Sequence, residues 1–464
     1  MKTTTEKITK PRPKVNNLTA EKLNDNASST AYIDQYQHQL RYVYTWRKWL
    51  WFDGRRWSLA EGDNNALRLS RKHAEKYFTT AKKMRRAGSQ SAGLVGKFAL
   101  SANGKQRIQA VVDLATADER TTISHKKLDA DKYAFNLLNG TLDLTDCTLR
   151  PHAPGDLLTQ IAGVEYQPDA DCPEWREMLQ HVFAGDQELI RYVQTLLGYS
   201  LAGTNDEHIL PIGYGDGCNG KSTIWNTWHA IMGDFGGAVS AELLMPRRDA
   251  HPTEVADLFG KRFVAVGEPD SSAKIAESKV KDLTGDRVLK ARRMREDFWE
   301  FQATHMFWLS TNHKPEISGT DEGIWRRVKL IQFAVNLKDV TTIDPQFAER
   351  LKAEYSGILN WALEGWKRYQ REGLIDCKAV LDATADYRES EDRVGQFVKE
   401  NFEINPQFVV GATEAFDAYQ GSGGILTQTQ FGLEMAKRFK KEKHTAGKYR
   451  NKFAYRGIGL APTQ

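Results

Sequence analysis

Residues 215–222 read Gly215-Asp216-Gly217-Cys218-Asn219-Gly220-Lys221-Ser222, the spacing G-x-x-x-x-G-K-[ST]. They stand between the apolar run Ile209–Tyr214 and a helical run opening at Ser222, so the strand, loop and helix that this spacing needs are present in order. Glycines let successive backbone N–H groups turn inward around an anion, and the N-terminus of the following helix favours negative charge. In such a loop Gly215 to Thr223 form a phosphate cradle, Lys221 holds β- and γ-phosphates, and the Ser222 hydroxyl ligates Mg²⁺. The chemistry expected of these residues is ATP·Mg²⁺ binding.

The loop also needs an acid at a neighbouring strand tip. Phe263-Val264-Ala265-Val266-Gly267-Glu268-Pro269-Asp270 supplies Glu268 directly after the strand and Asp270 further out. The strand Met306–Thr311 ends at Asn312, an amide that can orient water near a γ-phosphate or simply start a turn. Two arginines, Arg326 and Arg327, precede a further strand; either can stabilise transition-state charge across a subunit boundary, and a solvated pair is the plainer reading. The runs ILPIGY, RFVAVG, HMFWLST and VKLIQF, separated by helical or loop segments, predict an α/β core with a largely parallel sheet.

With 464 residues the chain has room for about three domains. Hydrophobic residues at 40% and charged residues at 27% exclude a wholly disordered or fibrous chain. Residues 1–30 read as a disordered arm and 31–165 as a mixed α/β domain. In the latter Asp53-Gly54 marks a hairpin turn, and Trp49, Trp51 and Trp57 are expected in the hairpin core rather than on nucleic-acid bases. A helical collar over 166–204, the ATPase core over 205–340 and a helical extension over 341–388 follow. No run of about 18 apolar residues occurs, so no membrane partner is expected, and the cytoplasm is the expected location. Cys147, Cys172, Cys218 and Cys377 form no C-x-x-C pair and read as free thiols.

Residues 389–464 are basic. Nine Lys or Arg between 431 and 456 face only Glu434 and Glu442, while the whole chain carries +5, so the basic excess reads as one C-terminal patch. Expected helices over 391–403, 411–419 and 426–441, then a strand pair over 448–462, suggest a winged helix. Gln428, Lys437, Arg438 and Lys441, beside Lys448, Arg450 and Lys452, suit phosphates of duplex or forked DNA, with a merely soluble basic face as the other reading.

Taken in order, NGTLDL, PHAPGDLLTQ, YQPDADCPEW, LLGYSLAGT, YGDGCNGKST, KVKDLTGDRVLKAR, LSTNHKPEI and GIWRRVKLIQF resemble the helicase region of phage and plasmid primase-helicases. That group is related to the poxvirus primase-helicase and belongs to the superfamily 3 helicases; the resemblance covers roughly residues 130–460. It implies a P-loop, AAA+-like ATPase forming a homo-oligomeric, hexameric ring that moves 3′ to 5′ on single-stranded DNA during replication of a mobile element. A separate primase or replication initiator is an implied partner. Lys221 and Ser222 match the Walker A residues, Glu268 the Walker B acid, Asn312 the sensor, and Arg326 or Arg327 the arginine finger.

Lys279–Arg295 matches the family's DNA-gripping insertion, with Lys281, Lys290, Arg292 and Arg293 as its cations. By its residues alone, the segment interleaves those bases with Asp282, Asp286, Glu296 and Asp297, and a solvated charged face fits nearly as well. Two departures stand out: Walker B offers one acid directly after its strand, and the LTGDR stretch has a single glycine. About 130 residues ahead of NGTLDL leave little room for a primase domain, and Asp129-Ala130-Asp131 is too weak a match for one. The alternative function is an origin-binding initiator or loading platform that uses ATP for assembly with little unwinding.

Overall fold

The computed structural model describes residues 20–246, 252–269, 273–285, 288–293, 297–317, 321–340, 344 and 346–461. Five strands, β1 (Leu210–Tyr214), β2 (Gly236–Val239), β3 (Phe263–Val266), β4 (Met306–Thr311) and β5 (Val328–Gln332), form one sheet in the order β5-β1-β4-β3-β2. Every pairing in it is parallel. Such a sheet is covered on both faces, which is why β4 reads as an unbroken apolar run whose Met306, Phe307, Trp308 and Leu309 are all buried. Because the strands run the same way, the loops after β1, β3 and β4 emerge along one edge. Four of these strands match the sequence expectation. The fifth, β2, begins Gly-Gly-Ala and pairs only with β3.

Helix α1 (Lys221–Met232) follows β1 directly and buries Ile224, Trp225, Trp228 and Ile231 on the sheet side. Between β3 and β4 the chain forms a short helix, Glu277–Leu283, and an antiparallel hairpin of Val288–Ala291 with Trp299–Gln302.

The N-terminal part starts earlier than expected. Helix Asp25–Tyr36 occupies residues assigned above to a disordered arm, because Asn24 caps it by accepting from the Ala27 N–H, and Ser29 Oγ donates to the Val111 carbonyl. Helices Gly62–Arg86, Ala92–Ala102 and Lys105–Ala115 surround a four-stranded sheet in which Leu40–Val43 pairs antiparallel with Lys48–Phe52. Gly54 takes the left-handed turn (φ +106°), and Trp49 and Trp57 are buried as hairpin core.

The meander Ala134–Leu137, Gly140–Asp143 and Thr148–Arg150 packs elsewhere. Its Phe135, Leu137 and Leu142 share one core with helices Pro173–Val182, Gln187–Tyr199 and Tyr355–Glu372 and with α1. The N-terminal sheet is not separate either: Val43, Leu50, Trp57, Ile123 and Leu128 share a second core with strands β1, β3, β4 and β5.

Two contacts hold this assembly together. Helices Gln187–Tyr199 and Tyr355–Glu372 touch backbone to backbone: a Cβ on Gly198 would lie 2.3 Å from Trp366 N, and one on Gly365 would lie 2.1 Å from Gln194 O. Arg262, at the mouth of β3, is buried between the rings of Phe235 (4.5 Å) and Phe135 (5.7 Å). Its guanidinium donates to the carbonyls of Leu201 and Ala134, the latter at 2.7 Å. Burial pushes its pKa down to about 10, against the pull of Asp129 and Asp131.

The C-terminal part has its own core around Phe397, Phe416, Phe431, Met435 and Tyr455. It runs helix Arg393–Asn401, strand Phe402–Gly411, helices Ala412–Gly421 and Gln428–Arg438, then strands Lys441–Lys443 and Phe453–Leu460. The last helix starts at a capping box of Thr427 and Gln430. The expected strand pair within 448–462 is instead one long strand, Phe453–Leu460, flanked by Phe402–Gly411 and Lys441–Lys443.

The glycine contact gives a direct test. Gly365→Leu is expected to cost about 3 kcal/mol or more in urea unfolding, since backbone cannot yield. Gly93→Ala, where a Cβ meets nothing within 4 Å, should be neutral or stabilise by up to about 1 kcal/mol.

Candidate functional site

The loop from Gly215 to Gly220 is shaped by backbone that only glycine tolerates easily. Gly220 caps α1 at φ +86°, where a Cβ would meet Val182 Cγ2 at 2.6 Å, and a Cβ on Gly215 would lie 2.3 Å from the Phe333 carbonyl. Asp216, Gly217 and Cys218 form the exposed tip, and Cys218 holds a left-handed φ of 62°. No side chain accepts from the N–H groups of Ser222 or Thr223 among the described residues, so the first turn of α1 presents donors outward.

Behind the tip Lys221 is buried, and the β1 loop and the tip of β4 meet on it. Its ammonium donates to Asn219 Oδ1 and to Asn312 Oδ1, both at 3.1 Å, and to the carbonyls of Gly215 and Asp216. Burial lowers the Lys221 pKa, while the charges of Glu268 and Asp216 oppose that shift. Asn219 is fixed in turn by donating to the Phe333 carbonyl at 3.3 Å, a contact at the end of β5 that the sequence reading did not include. Glu268 closes the arrangement: its Oε1 accepts the Asn312 N–H at 3.0 Å. One residue at the tip of β4 therefore binds the β1 loop through its side chain and the β3 loop through its backbone. Ser222 and Glu268, both exposed, are the oxygen donors here that could hold a divalent cation. Asp270 lies outside the described residues, as do Asp286 and Glu296.

The two arginines separate. Arg327 is buried, donating from Nε to Thr284 Oγ1 (3.2 Å) and from a terminal nitrogen to the Gly323 carbonyl (2.6 Å). Arg326 is exposed, and its side chain has no hydrogen-bond or ion-pair partner among the described residues.

The proposed DNA cations also divide. Lys290 and Arg292 lie 5.1 and 4.9 Å from the centre of the half-exposed Phe298 ring on the inserted hairpin. Arg293 instead lies over Trp46 and Trp299, joining the hairpin to the N-terminal part, and Lys281 is ion-paired with Asp321. In the C-terminal part Lys437 pairs with Glu434, and Arg438 with Asp392 and Glu434. Lys448 pairs with Glu414 at 3.1 Å, Lys441 lies over Phe453 and Tyr455, and Arg450 is exposed.

The fold and site define an α/β protein with a glycine-rich loop and buried lysine at the leading edge of a parallel sheet. Two family profiles match the chain: "D5 N terminal like" over residues 29–184 and a family of unknown function, DUF5906, over residues 213–327. L207/L206 of Acanthamoeba polyphaga mimivirus, named as a helicase, is 26% identical over 295 residues, 59% of this chain and 31% of that protein. C962R of African swine fever virus (isolate Tick/Malawi/Lil 20-1/1983), named as a primase, is 21% identical over 322 residues, 63% of this chain and 33% of that protein. The apo structure of the NrS-1 C terminal region superposes with a TM-score of 0.42 at 13% identity, covering 64% of this chain and 77% of that one. The chain is similar to viral proteins named as helicases and primases. It spans about a third of the length of these two curated relatives. No helix among the described residues is long and apolar enough to cross a membrane.

The arginine geometry predicts opposite stabilities. Arg327→Ala is expected to lose about 2–4 kcal/mol in denaturant unfolding, through an emptied buried charge site, whereas Arg326→Ala should change stability by less than about 0.5 kcal/mol.

Proposed function

We propose that this chain is the motor part of a replicative DNA helicase, an ATPase that assembles as a ring and moves 3′ to 5′ on single-stranded DNA. The observation that carries the reading is the meeting of Lys221, Asn312 and Glu268 beside the uncapped start of α1. A buried ammonium, an amide bridging two loops and a carboxylate, placed next to outward N–H donors, match the needs of a polyphosphate and its cation. In this reading the five-stranded sheet is an AAA+-like P-loop core, and Lys221 exchanges its loop carbonyls for β- and γ-phosphate oxygens. Ser222 and Glu268 would hold Mg²⁺, which when bound supplies neutralisation of the charge that develops on phosphoryl transfer. In the same reading Glu268 would also orient the attacking water, and Asn312, bonded to both, would keep Glu268 and Lys221 in register.

Arg326 suits action on a neighbouring subunit, because it is exposed directly ahead of β5 while Arg327 is tied inside. Lys290, Arg292 and Phe298, grouped on the inserted hairpin, suit a DNA strand. The C-terminal helices and three-stranded sheet follow the order of a winged helix. Its phosphate contacts would come from Lys441, Arg450 and Lys452, since Lys437, Arg438 and Lys448 serve internal ion pairs.

The test is strand displacement on a forked DNA with a 3′ single-stranded tail, with ATP and Mg²⁺. The unaltered chain should unwind it and Lys221→Ala should not; hydrolysis retained by Lys221→Ala would sink the site assignment. DNA binding with no unwinding by either protein would assign the chain to initiation or loading. Arg326→Ala should lower ATP turnover by about 1,000-fold or more if it serves as a finger. Equal turnover would remove that role.

A further inference from the structure

The C-terminal patch is not the chain's largest concentration of positive charge. Between residues 62 and 107 eleven Lys or Arg face only Asp63 and Glu75, a larger excess than that of residues 431–456. The expectation of a single basic patch fails because acids elsewhere in the chain cancel this one in the total.

The structure gathers much of that charge on one long helix, Gly62–Arg86. At 100° per residue Arg68, Arg71, Lys72, Lys82, Lys83 and Arg86 fall within an arc of about 120°, along about 27 Å of axis. All six are exposed. Arg71 pairs with Glu75 at 3.4 Å, and the side chains of the other five have no hydrogen-bond or ion-pair partner among the described residues. The opposite face carries Leu69, Ala74, Tyr77 and Met84 into the core, so the cations stand on a rigid support. Phe78, partly exposed, lies at the margin of the same arc.

We propose that this helix face is a second DNA-binding surface, which takes the sugar-phosphate backbone of a single strand. A strand advances about 3.4 Å per phosphate, so about 27 Å of helix runs beside some eight phosphates. The row of cations can neutralise most of them, and Phe78 offers a ring on which an unstacked base can rest. An anionic membrane is a poorer match. A helix lying on lipid needs an apolar face free to insert, and here that face is already spent on the protein core. The surface belongs to the N-terminal part, remote in sequence from the inserted hairpin and the C-terminal strands. It deepens the helicase reading by naming where the strand meets this part of the chain.

The experiment measures binding of a labelled 30-base single strand by fluorescence anisotropy, without nucleotide, at several salt concentrations. It is run in the Lys221→Ala background so that the outcome does not depend on hydrolysis or unwinding. Replacing Lys72, Lys83 and Arg86 together by Ala should weaken binding at low salt at least tenfold. The slope of log K against log[salt] should become shallower by about 2, three lost contacts on a single strand. Melting temperature should not change, since these exposed side chains have no hydrogen-bond or ion-pair partner among the described residues. Lys72→Arg with Lys83→Arg should retain the original affinity. Unchanged affinity and slope in the triple alanine protein would overturn the proposal. So would equal loss in the arginine protein, because charge would then not be what binds. Loss of binding to phosphatidylserine vesicles with DNA affinity intact would overturn it in favour of a membrane surface. Because only binding is read, failure here leaves the ATPase assignment standing, and failure of unwinding leaves this surface standing.

Discussion

The architecture turns on one buried charge. Arg262 belongs to the central sheet by its backbone, with its N–H donating to the Phe235 carbonyl and its carbonyl accepting from Met306. Its side chain leaves the sheet and donates to the meander at Ala134 and to the end of the collar helix at Leu201. A guanidinium out of water is costly unless its donors and charge are met. Here two carbonyls, two phenyl faces and the fields of Asp129 and Asp131 meet them. The geometry that satisfies this group is also the geometry that seats β3, and β3 delivers Glu268 to the site. Sheet, meander and collar are thereby fixed relative to one another before any ligand is considered.

The site itself rests on a second economy of parts. Asn312 performs two tasks from one position, its amide oxygen accepting from Lys221 and its N–H donating to Glu268. A parallel sheet makes this possible, since β4 lies between β1 and β3 and its tip faces both their loops.

Much of this was legible in the sequence, and what was missed has physical reasons. The loop, its lysine and the strands β1, β3, β4 and β5 could be read because apolar runs ending in glycines or polar residues leave little choice of structure. Strand β2 could not, because Gly-Gly-Ala carries no strand preference and the pairing with β3 alone decides it. Helix Asp25–Tyr36 begins among Asn, Ala and Ser, which suggest disorder until the Asn24 cap and the Ser29 bond to Val111 are seen. The roles of Arg326 and Arg327 are symmetrical in sequence, and only packing against Thr284 and Gly323 separates them. The helical spacing and the many Lys and Arg of residues 65–130 could be read, but not their weight as a surface: net charge sums over the chain, whereas a binding surface depends on where the charges lie.

The contact between Gly198 and Gly365 sets an order of events. Gln194, one turn from Gly198, donates to the carbonyl of Trp361 across 167 residues of chain. No local structure can stand in for that partner. As the polypeptide leaves the ribosome, the apolar face of helix Gln187–Tyr199 must stay uncovered while the whole parallel sheet is made behind it. Long-range closure of this kind is slow, and surface left open meanwhile is prone to stick to other chains. Helix Tyr355–Glu372 is thus the closing stone of the core, and a chain cut short before it would expose the collar however well its sheet had formed.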